Sequence, residues 1–387
     1  MENFQFSMPT KIIFGKNTQK KIGPETRKHT DKVLLHYGGG SIKKTGLYDE
    51  AVKSLKEHGI EITELSGVKP NPRLGLVKEG IEICRKNGID FILGIGGGSV
   101  LDSAKAIAVG VPYQGDVWDF YTEKAVVKEA LPVGGVLTIP AAGSEASDGS
   151  VITNEQNNYK RAVVTGLIRP VFAIMNPEFT YSLPPYQTSC GASDIIAHVI
   201  ERYFTRVKDV DLTDRLCESV IKTMVKYVPV VLEEPEDYEA RAEIMWAGTV
   251  AHNGLLSTGR TGDWGSHMIE HEISAIYDIA HGAGLSIVVP AWMKYVYRSD
   301  IERFAQFASR VWNAETDFFN LEATALEGIE KLEQFYRRIN LPTRLSDAKI
   351  GDEDFEAMAE KCLEFKKVGE YLELKKDDVI NILNLAK

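Results

Sequence analysis

The chain has 387 residues, with 45 Lys and Arg against 55 Asp and Glu, giving a formal net charge of −10. Hydrophobic residues make up 44% and charged residues 26%, which excludes a disordered chain and fits one large or two ordinary domains. The acidic excess argues against nucleic acid or an anionic membrane as partner, since their phosphates need a basic face. No apolar run approaches the ~18 residues of a membrane helix.

The stretch Met1 to Phe6 lacks the basic-then-apolar layout of a signal peptide, so a cytoplasmic protein is expected. Cys84, Cys190, Cys217 and Cys362 lie far apart in sequence. Neither a disulfide framework nor a Cys-x-x-Cys pair is expected.

In chain order, Val33 to Tyr37 reads as a buried strand that stops at Gly38-Gly39-Gly40-Ser41. A helix over Tyr48 to His58 ends at Gly59, a residue suited to the position after a helix. Ile60 to Leu65 alternates like a strand and is broken by Lys69-Pro70-Asn71-Pro72. A second helix, from about Leu74 to Asn87, is stopped by Gly88. Phe91 to Ile95 is another buried strand, followed by Gly96-Gly97-Gly98-Ser99 and a helix through Ala108. Such alternation predicts βαβ units and a mostly parallel sheet.

From Leu131 to Leu183 the pattern is strand-like, with runs at Val136 to Pro140, Ala162 to Thr165 and Val171 to Met175. After Pro184-Pro185 it turns helical: Leu212, Leu216, Val220, Met224 and Val228 recur at intervals of four. Tyr238 to Leu256, Ile301 to Trp312 and Leu321 to Ile339 repeat in the same way, and the one strand candidate beyond 185 is Ser286 to Val289. The expected architecture is an α/β domain over 1–185, Rossmann-like with a mostly parallel sheet, and an all-α domain over 186–387.

Two glycine-rich strand-to-helix turns can carry a phosphate, because glycine lets backbone N–H groups approach closely and a helix N-terminus favours an anion. Gly96 to Asp102 is the stronger of the two, though it is neither G-x-G-x-x-G nor a P-loop, and a tight turn without ligand reads the same way. At Gly38 to Lys44 no carboxylate stands where NAD-specific sites bind the ribose hydroxyls. Space, the Ser41 hydroxyl, Lys43 and Lys44 favour NADP(H) over NAD(H), unless both lysines are merely solvated.

Asp194 and His198 are four apart in a helical segment, so they share one face and can reach one ion. His267 and His271 share a face in the same way, and His281 follows in Ala280-His281-Gly282. Each alone reads equally as a core histidine or a hydrogen-bonded pair, and His271 as a neutral neighbour. Clustered, a carboxylate with several imidazoles suits Fe(II) or Zn(II). Glu270 and Glu272 are expected to face solvent. Gly143-Ser144-Glu145 lacks the full serine-elbow pattern.

On these motifs, with Phe14-Gly15 and Ala142-Gly143-Ser144-Glu145 in the same order, the whole sequence resembles the iron-dependent (group III) alcohol dehydrogenase family. The likeness is to its butanol dehydrogenase and NADPH-dependent aldehyde reductase branch. The resemblance implies a dehydroquinate synthase-like fold, with the cofactor on the sheet side and the metal on the helical side of a cleft. It implies a divalent metal, Fe2+ or Zn2+, held by Asp194, His198, His267 and His281. It also implies a cofactor site with Gly97, Gly98, Ser99 and Asp102 at the pyrophosphate and Gly39, Ser41 and Asn71 at the adenosine end. Thr138, Ser147 and Lys160 then lie along the ribose and nicotinamide, with Leu183 nearby. His271 matches a histidine close to the substrate and is the candidate proton relay.

Two departures stand out: Pro290-Ala291-Trp292 replaces the widespread Pro-His-Gly, and Ser147 stands where Asn is common. The implied activity is hydride transfer between NADP(H) and a small aliphatic aldehyde or primary alcohol such as butyraldehyde or butanol, by a homodimer. Trp264, Trp292 and Tyr295 are candidates for the substrate wall or for core. A metal-dependent sugar-phosphate cyclase of the dehydroquinate synthase type is the first rival, but Trp264 to Ala283 holds no Lys or Arg for a phosphate. A non-catalytic nucleotide- or metal-binding protein is the second.

Overall fold

A computed structural model describes residues 1–364 and 367–387. They form two compact units, one of Ser7–Leu183 with Pro235–Thr249, the other of Met1–Phe6, Pro184–Glu234 and Val250–Lys387.

The first unit is built on a six-stranded parallel sheet. Its strands are β1 (Lys11–Phe14), β2 (Lys32–Gly38), β3 (Glu61–Val68), β4 (Phe91–Gly96), β5 (Val133–Leu137) and β8 (Phe172–Met175), in the order β1-β8-β5-β4-β2-β3. The period of two is visible in the core: Leu34 and Ile92 pack on one face, while Val33, Leu35, Phe91 and Leu93 pack on the other. Both faces are covered, which is why these strands read as continuous apolar runs. A separate antiparallel pair joins β6 (Gly149–Asn154) to β7 (Tyr159–Val164).

The strand order reverses between β2 and β4. From β2 the chain moves outward to β3, then returns to place β4 on β2's other side. In open α/β sheets such a switch point leaves a crevice at the carboxyl ends of the strands, where nucleotides bind. Both glycine-rich turns leave the sheet there.

The second unit is helical. Its longer helices are Pro185–Tyr203, Asp211–Glu233, Gly265–Tyr277, His281–Val296, Ile301–Trp312 and Leu321–Arg338. Pro185 opens the first, a position where its missing N–H costs nothing. No helix among the described residues is long and apolar enough to cross a membrane.

Two expectations are corrected. Ser286 to Val289 is not a strand: it lies inside the His281–Val296 helix with every residue fully buried. A helix apolar all round loses its amphipathic signature, so its β-branched run misleads. The helix expected over Tyr238 to Leu256 stops at His252. Neither compact unit is contiguous in sequence. Most of the Tyr238–His252 helix belongs to the sheet unit, where Met245 packs with Leu101, Leu137, Ala173 and Met175. Met1–Phe6 belongs to the helical unit, where Glu2 bonds Gly259 and Thr261.

Candidate functional site

Every metal-type candidate falls in the helical unit, and every nucleotide candidate falls in the sheet unit. Asp194 and His198 lie one turn apart on the Pro185–Tyr203 helix, with His198 Nε2 3.3 Å from Asp194 Oδ1. His281 is the first residue of its helix, and its Nε2 is 3.7 Å from the same oxygen. This approach depends on Gly282, where a Cβ would lie 1.9 Å from the Cys190 carbonyl oxygen. Any side chain there would push the two helices apart.

His267 completes the group. One donor atom from each of Asp194, His267 and His281 lies within 4.8 Å of the others. His198 joins them, its ring 4.6 Å from that of His267 and its Nε2 beside Asp194. Burial, then the nearby His252, His267, Arg202 and His281, push the His198 pKa well below its ordinary value, so the ring is neutral, the form that binds metals. His267 Nε2 is buried and has no hydrogen-bond partner among the described residues. A buried lone pair without a partner is costly, and a cation facing it removes that cost. One carboxylate with imidazoles is the donor set of iron and zinc sites; the residues present fit such an ion.

Two of these imidazoles, His267 and His281, are held through Nδ1 by carboxylates that the sequence reading missed. Glu201, fully buried, accepts His267 Nδ1–H at 2.9 Å. It also accepts the backbone N–H groups of Trp264 (2.6 Å) and His267 (3.0 Å) and the Ser266 hydroxyl (2.5 Å). Burial raises its pKa, but the hydrogen bonds from His267 and Ser266 outweigh this, and the net direction is down. Asp263 nearby is pushed up to about 7 by burial and by the charge of Glu201.

Glu270, expected in solvent, is instead fully buried, accepting from His281 Nδ1 and the Ser274 hydroxyl. Glu272 is also buried. The Gly265–Tyr277 helix is enclosed through most of its length, so charges flanking His271 have no solvent to face. His271 is buried with its ring 5.6 Å from that of His281, and one nitrogen sits within 4.8 Å of donor atoms of Glu270 and His281. Of the aromatic candidates, Trp292 is core, fully buried against Phe204 and Tyr371. Tyr295 bonds Asp378. Trp264 lies edge-on to His198 and His267, in a left-handed conformation (φ 67).

At the β4 end of the sheet, Gly97 and Gly98 lead into the 13-residue Gly98–Gly110 helix. A Cβ on Gly97 would lie 3.2 Å from Ile139, and one on Gly98 3.3 Å from Ala142, so the turn packs tightly under the loop that follows β5. Ser99 is the second residue of that helix, and Thr138, just past β5, donates its N–H to the Gly96 carbonyl. Asp102 faces inward: its carboxylate accepts the Ser144 hydroxyl (2.6 Å) and the Val151 N–H (3.0 Å).

Lys105, also missed, is fully buried and donates to Ser144 Oγ (2.9 Å), the Ser147 carbonyl (3.0 Å) and the Gly149 carbonyl (2.9 Å). Burial brings its pKa down to about 8, against the pull of Asp102, Glu145 and Asp148. An Asp-x-x-Lys pair in an otherwise apolar helix was the available signal. Ser147 and Lys160 are buried, and Leu183 is half-buried.

At the β2 end, Gly39 has no atom within 4 Å of a would-be Cβ, and neither has Gly40, which sits at φ 108. Ser41 is exposed. The exposed Lys43 places Nζ 4.5 Å from the centre of the Tyr48 ring. Asn71 is buried at φ 53, beyond β3.

This arrangement, a nucleotide-type switch point in one unit and a carboxylate–imidazole cluster in the other, defines a metal-dependent dehydrogenase fold. The chain belongs to the iron-containing alcohol dehydrogenase family: the model "Iron-containing alcohol dehydrogenase" matches residues 9–177 and "Fe-containing alcohol dehydrogenase family, C-terminal" matches 188–386. It is 45% identical to the probable NADH-dependent butanol dehydrogenase 2 of Bacillus subtilis, covering all of both chains. It is 36% identical to the NADPH-dependent aldehyde reductase YqhD of Escherichia coli, over 94% of each. The crystal structure of NADH-dependent butanol dehydrogenase A from Thermotoga maritima is similar over 100% of this chain and 99% of that one, with a TM-score of 0.97 and 44% identity.

Proposed function

We propose that this oxidoreductase interconverts small aliphatic aldehydes and primary alcohols, of the butyraldehyde and butanol class, with NADP(H) preferred over NAD(H). Asp194, His198, His267 and His281 hold its divalent ion, Fe2+ first and Zn2+ second. The observation that carries the reading is the buried Nε2 of His267, without a hydrogen-bond partner among the described residues and grouped with donor atoms of Asp194 and His281.

When bound, such an ion offers Lewis-acid stabilisation of charge developing on the substrate oxygen, and the reduced nicotinamide supplies the hydride. The chain's own part is to hold and exclude. Asp194 is the one carboxylate of the donor set, and each imidazole offers a nitrogen lone pair. Glu201 and Glu270 fix two of the rings. His271, buried beside His281, relays the proton that the alcohol hydroxyl gains or loses. On the sheet unit, the N–H groups at Gly97 to Ser99 receive the pyrophosphate at a helix N-terminus. Asp102 supports that turn by holding Ser144 and Val151. Gly39, Ser41 and Asn71 take the adenosine end; Thr138, Ser147 and Lys160 take the ribose and nicotinamide, with Leu183 beside them.

The nucleotide preference rests on the β2 corner, where residues 38–44 contain no carboxylate, Gly39 and Gly40 leave open space, and two lysines follow. Relatives divide by name, NADH for the 45% identical butanol dehydrogenase and NADPH for the 36% identical reductase. Elemental analysis, with butyraldehyde reduction assayed under NADPH and NADH in parallel, tests all parts. The expected result is one metal per chain and a larger kcat/KM with NADPH. A larger value with NADH overturns the preference, and no aldehyde-dependent consumption of either overturns the reaction. His267→Ala is expected to lose the metal and at least ~10³-fold in turnover, the scale of several kcal/mol of Lewis-acid stabilisation. A metal-replete, active variant refutes the ligand assignment.

A further inference from the structure

The imidazoles of His267 and His281 are each bonded through Nδ1 to a fully buried carboxylate, Glu201 and Glu270 respectively. We infer that Glu201 and Glu270 are positioning residues that fix the metal-binding tautomers of His267 and His281 and raise the affinity of the centre; this rests on the metal site proposed above. An ionised carboxylate only accepts hydrogen bonds, so each Nδ1 must carry the proton. The lone pair is then left on Nε2, the atom that in His281 faces Asp194 and in His267 has no hydrogen-bond partner among the described residues. Without such a bond a neutral imidazole is free to hold its proton on the wrong nitrogen.

Glu201 does more than choose a tautomer. It stands on the same helix as Asp194 and His198, seven residues past the first and three past the second. Among the described residues, the four hydrogen bonds its carboxylate accepts come from Trp264 to His267, the first turn of the next ligand-bearing helix. One carboxylate therefore fastens the helix carrying Asp194 and His198 to the start of the helix carrying His267. Glu270 adds a third helix, linking the middle of the His267 helix to the first residue of the His281 helix. Gly284 makes room for it: a Cβ there would lie 2.6 Å from Glu270 Oε1.

The test uses the full chain, freed of metal, with Co2+ as the probe in competition with a chromophoric chelator. Glu201→Gln and Glu270→Gln keep the size and an acceptor oxygen but remove the charge. Each is expected to bind Co2+ about 10- to 100-fold more weakly than wild type, the usual cost of losing a group behind a ligand. The visible Co2+ absorption should shift, because the donor strength of one imidazole changes. A purely helix-capping role for Glu201 would lower the urea midpoint of the metal-free protein and leave Co2+ affinity within about twofold; that result overturns the inference.

If Glu201→Gln does not fold, Glu270→Gln alone carries the test. Uptake of two Co2+ ions per chain also overturns it, since Glu270 would then be a ligand. Failure of the underlying metal reading looks different: wild type takes up no Co2+, or His267→Ala binds it as wild type does.

Discussion

At the ends of β2 and β4 the nucleotide candidates are largely backbone, whereas around Asp194 every candidate donor atom belongs to a side chain. Gly39 and Gly40 leave empty space, Gly97 and Gly98 pack closely under the next loop, and the placement of all four is written locally, in a strand followed by a turn. The metal-type centre draws on three stretches, at 194–201, 267–271 and 281, that only the fold brings together. A backbone site tolerates change in its surroundings, and a side chain added where there is room, as at Gly39, acts on the ligand's space rather than on the fold. A side-chain cluster in a buried setting depends on how closely its helices approach. The two regions should therefore break in different ways.

The largest effect is expected where helix spacing is tightest. Gly282→Ala would place a methyl group 1.9 Å from a backbone oxygen, which cannot rotate aside. The cost should reach the upper end for an overpacked core, about 3 kcal/mol, and metal content should fall because His281 is the neighbouring residue. Urea unfolding with elemental analysis reads both. An unchanged midpoint with full metal would show that the helix contact is not what positions His281.

Acid separates the regions next. His36, on β2, is fully buried between the Leu65 carbonyl and the Ser103 hydroxyl, and burial lowers its pKa to about 4. The ordinary value is 6.5. Between those values the unfolded chain takes up a proton that the folded chain refuses, so stability falls as pH is lowered through that window. At about 1.4 kcal/mol per unit, lowering the pH from 6.5 to 5 removes about 2 kcal/mol. His36→Gln should flatten the slope of unfolding free energy over that range, and a slope equal to wild type would refute the assignment.

Much of the sheet unit was legible because its strands are buried on both faces and its turns are spelled in glycine. Asp194 and His198 were legible too, since a spacing of four declares a shared helix face. Glu201 was not found, although it continues that face at the next turn. A glutamate near the end of a helix ordinarily reads as a solvated charge, and its partners at Trp264 to His267 are distant in sequence. Glu270 was misread for the same reason: burial from every side is a tertiary fact. The Ser286 to Val289 run looked like a strand because full enclosure erases helical periodicity, leaving only β-branched composition. Nor could the sequence show that Met245 and Thr249 pack with the sheet.

A smaller effect tests the backbone character of the nucleotide site. Gly39 has room for a side chain and no positive φ to forbid one. Gly39→Asp should leave folding unchanged while placing a carboxylate where the adenosine ribose is expected. Repulsion of a 2′-phosphate, with a new acceptor for a bare 2′-hydroxyl, should move the NADPH/NADH ratio of kcat/KM about 10- to 100-fold toward NADH. No change in that ratio would mean that the adenosine end lies elsewhere.

The smallest effect concerns Lys43, and it refines the same corner. Its ammonium lies between the rings of Tyr37 and Tyr48, 5.2 and 4.5 Å from their centres, while both phenols donate to Glu64. Glu64 is thus already engaged. The ammonium is the nearest cation along the chain to the open space at Gly39 and Gly40. As an exposed charge it interacts through water and is screened by salt, so its contribution is modest. Lys43→Ala should raise KM for NADPH about 3- to 10-fold at low ionic strength and change KM for NADH by less than twofold. The difference should shrink as salt is added, because only the 2′-phosphate brings an extra charge to this corner. An equal rise for both cofactors would instead assign Lys43 to the shape of the adenosine pocket, through its two tyrosines, and leave the preference to the absence of a carboxylate alone.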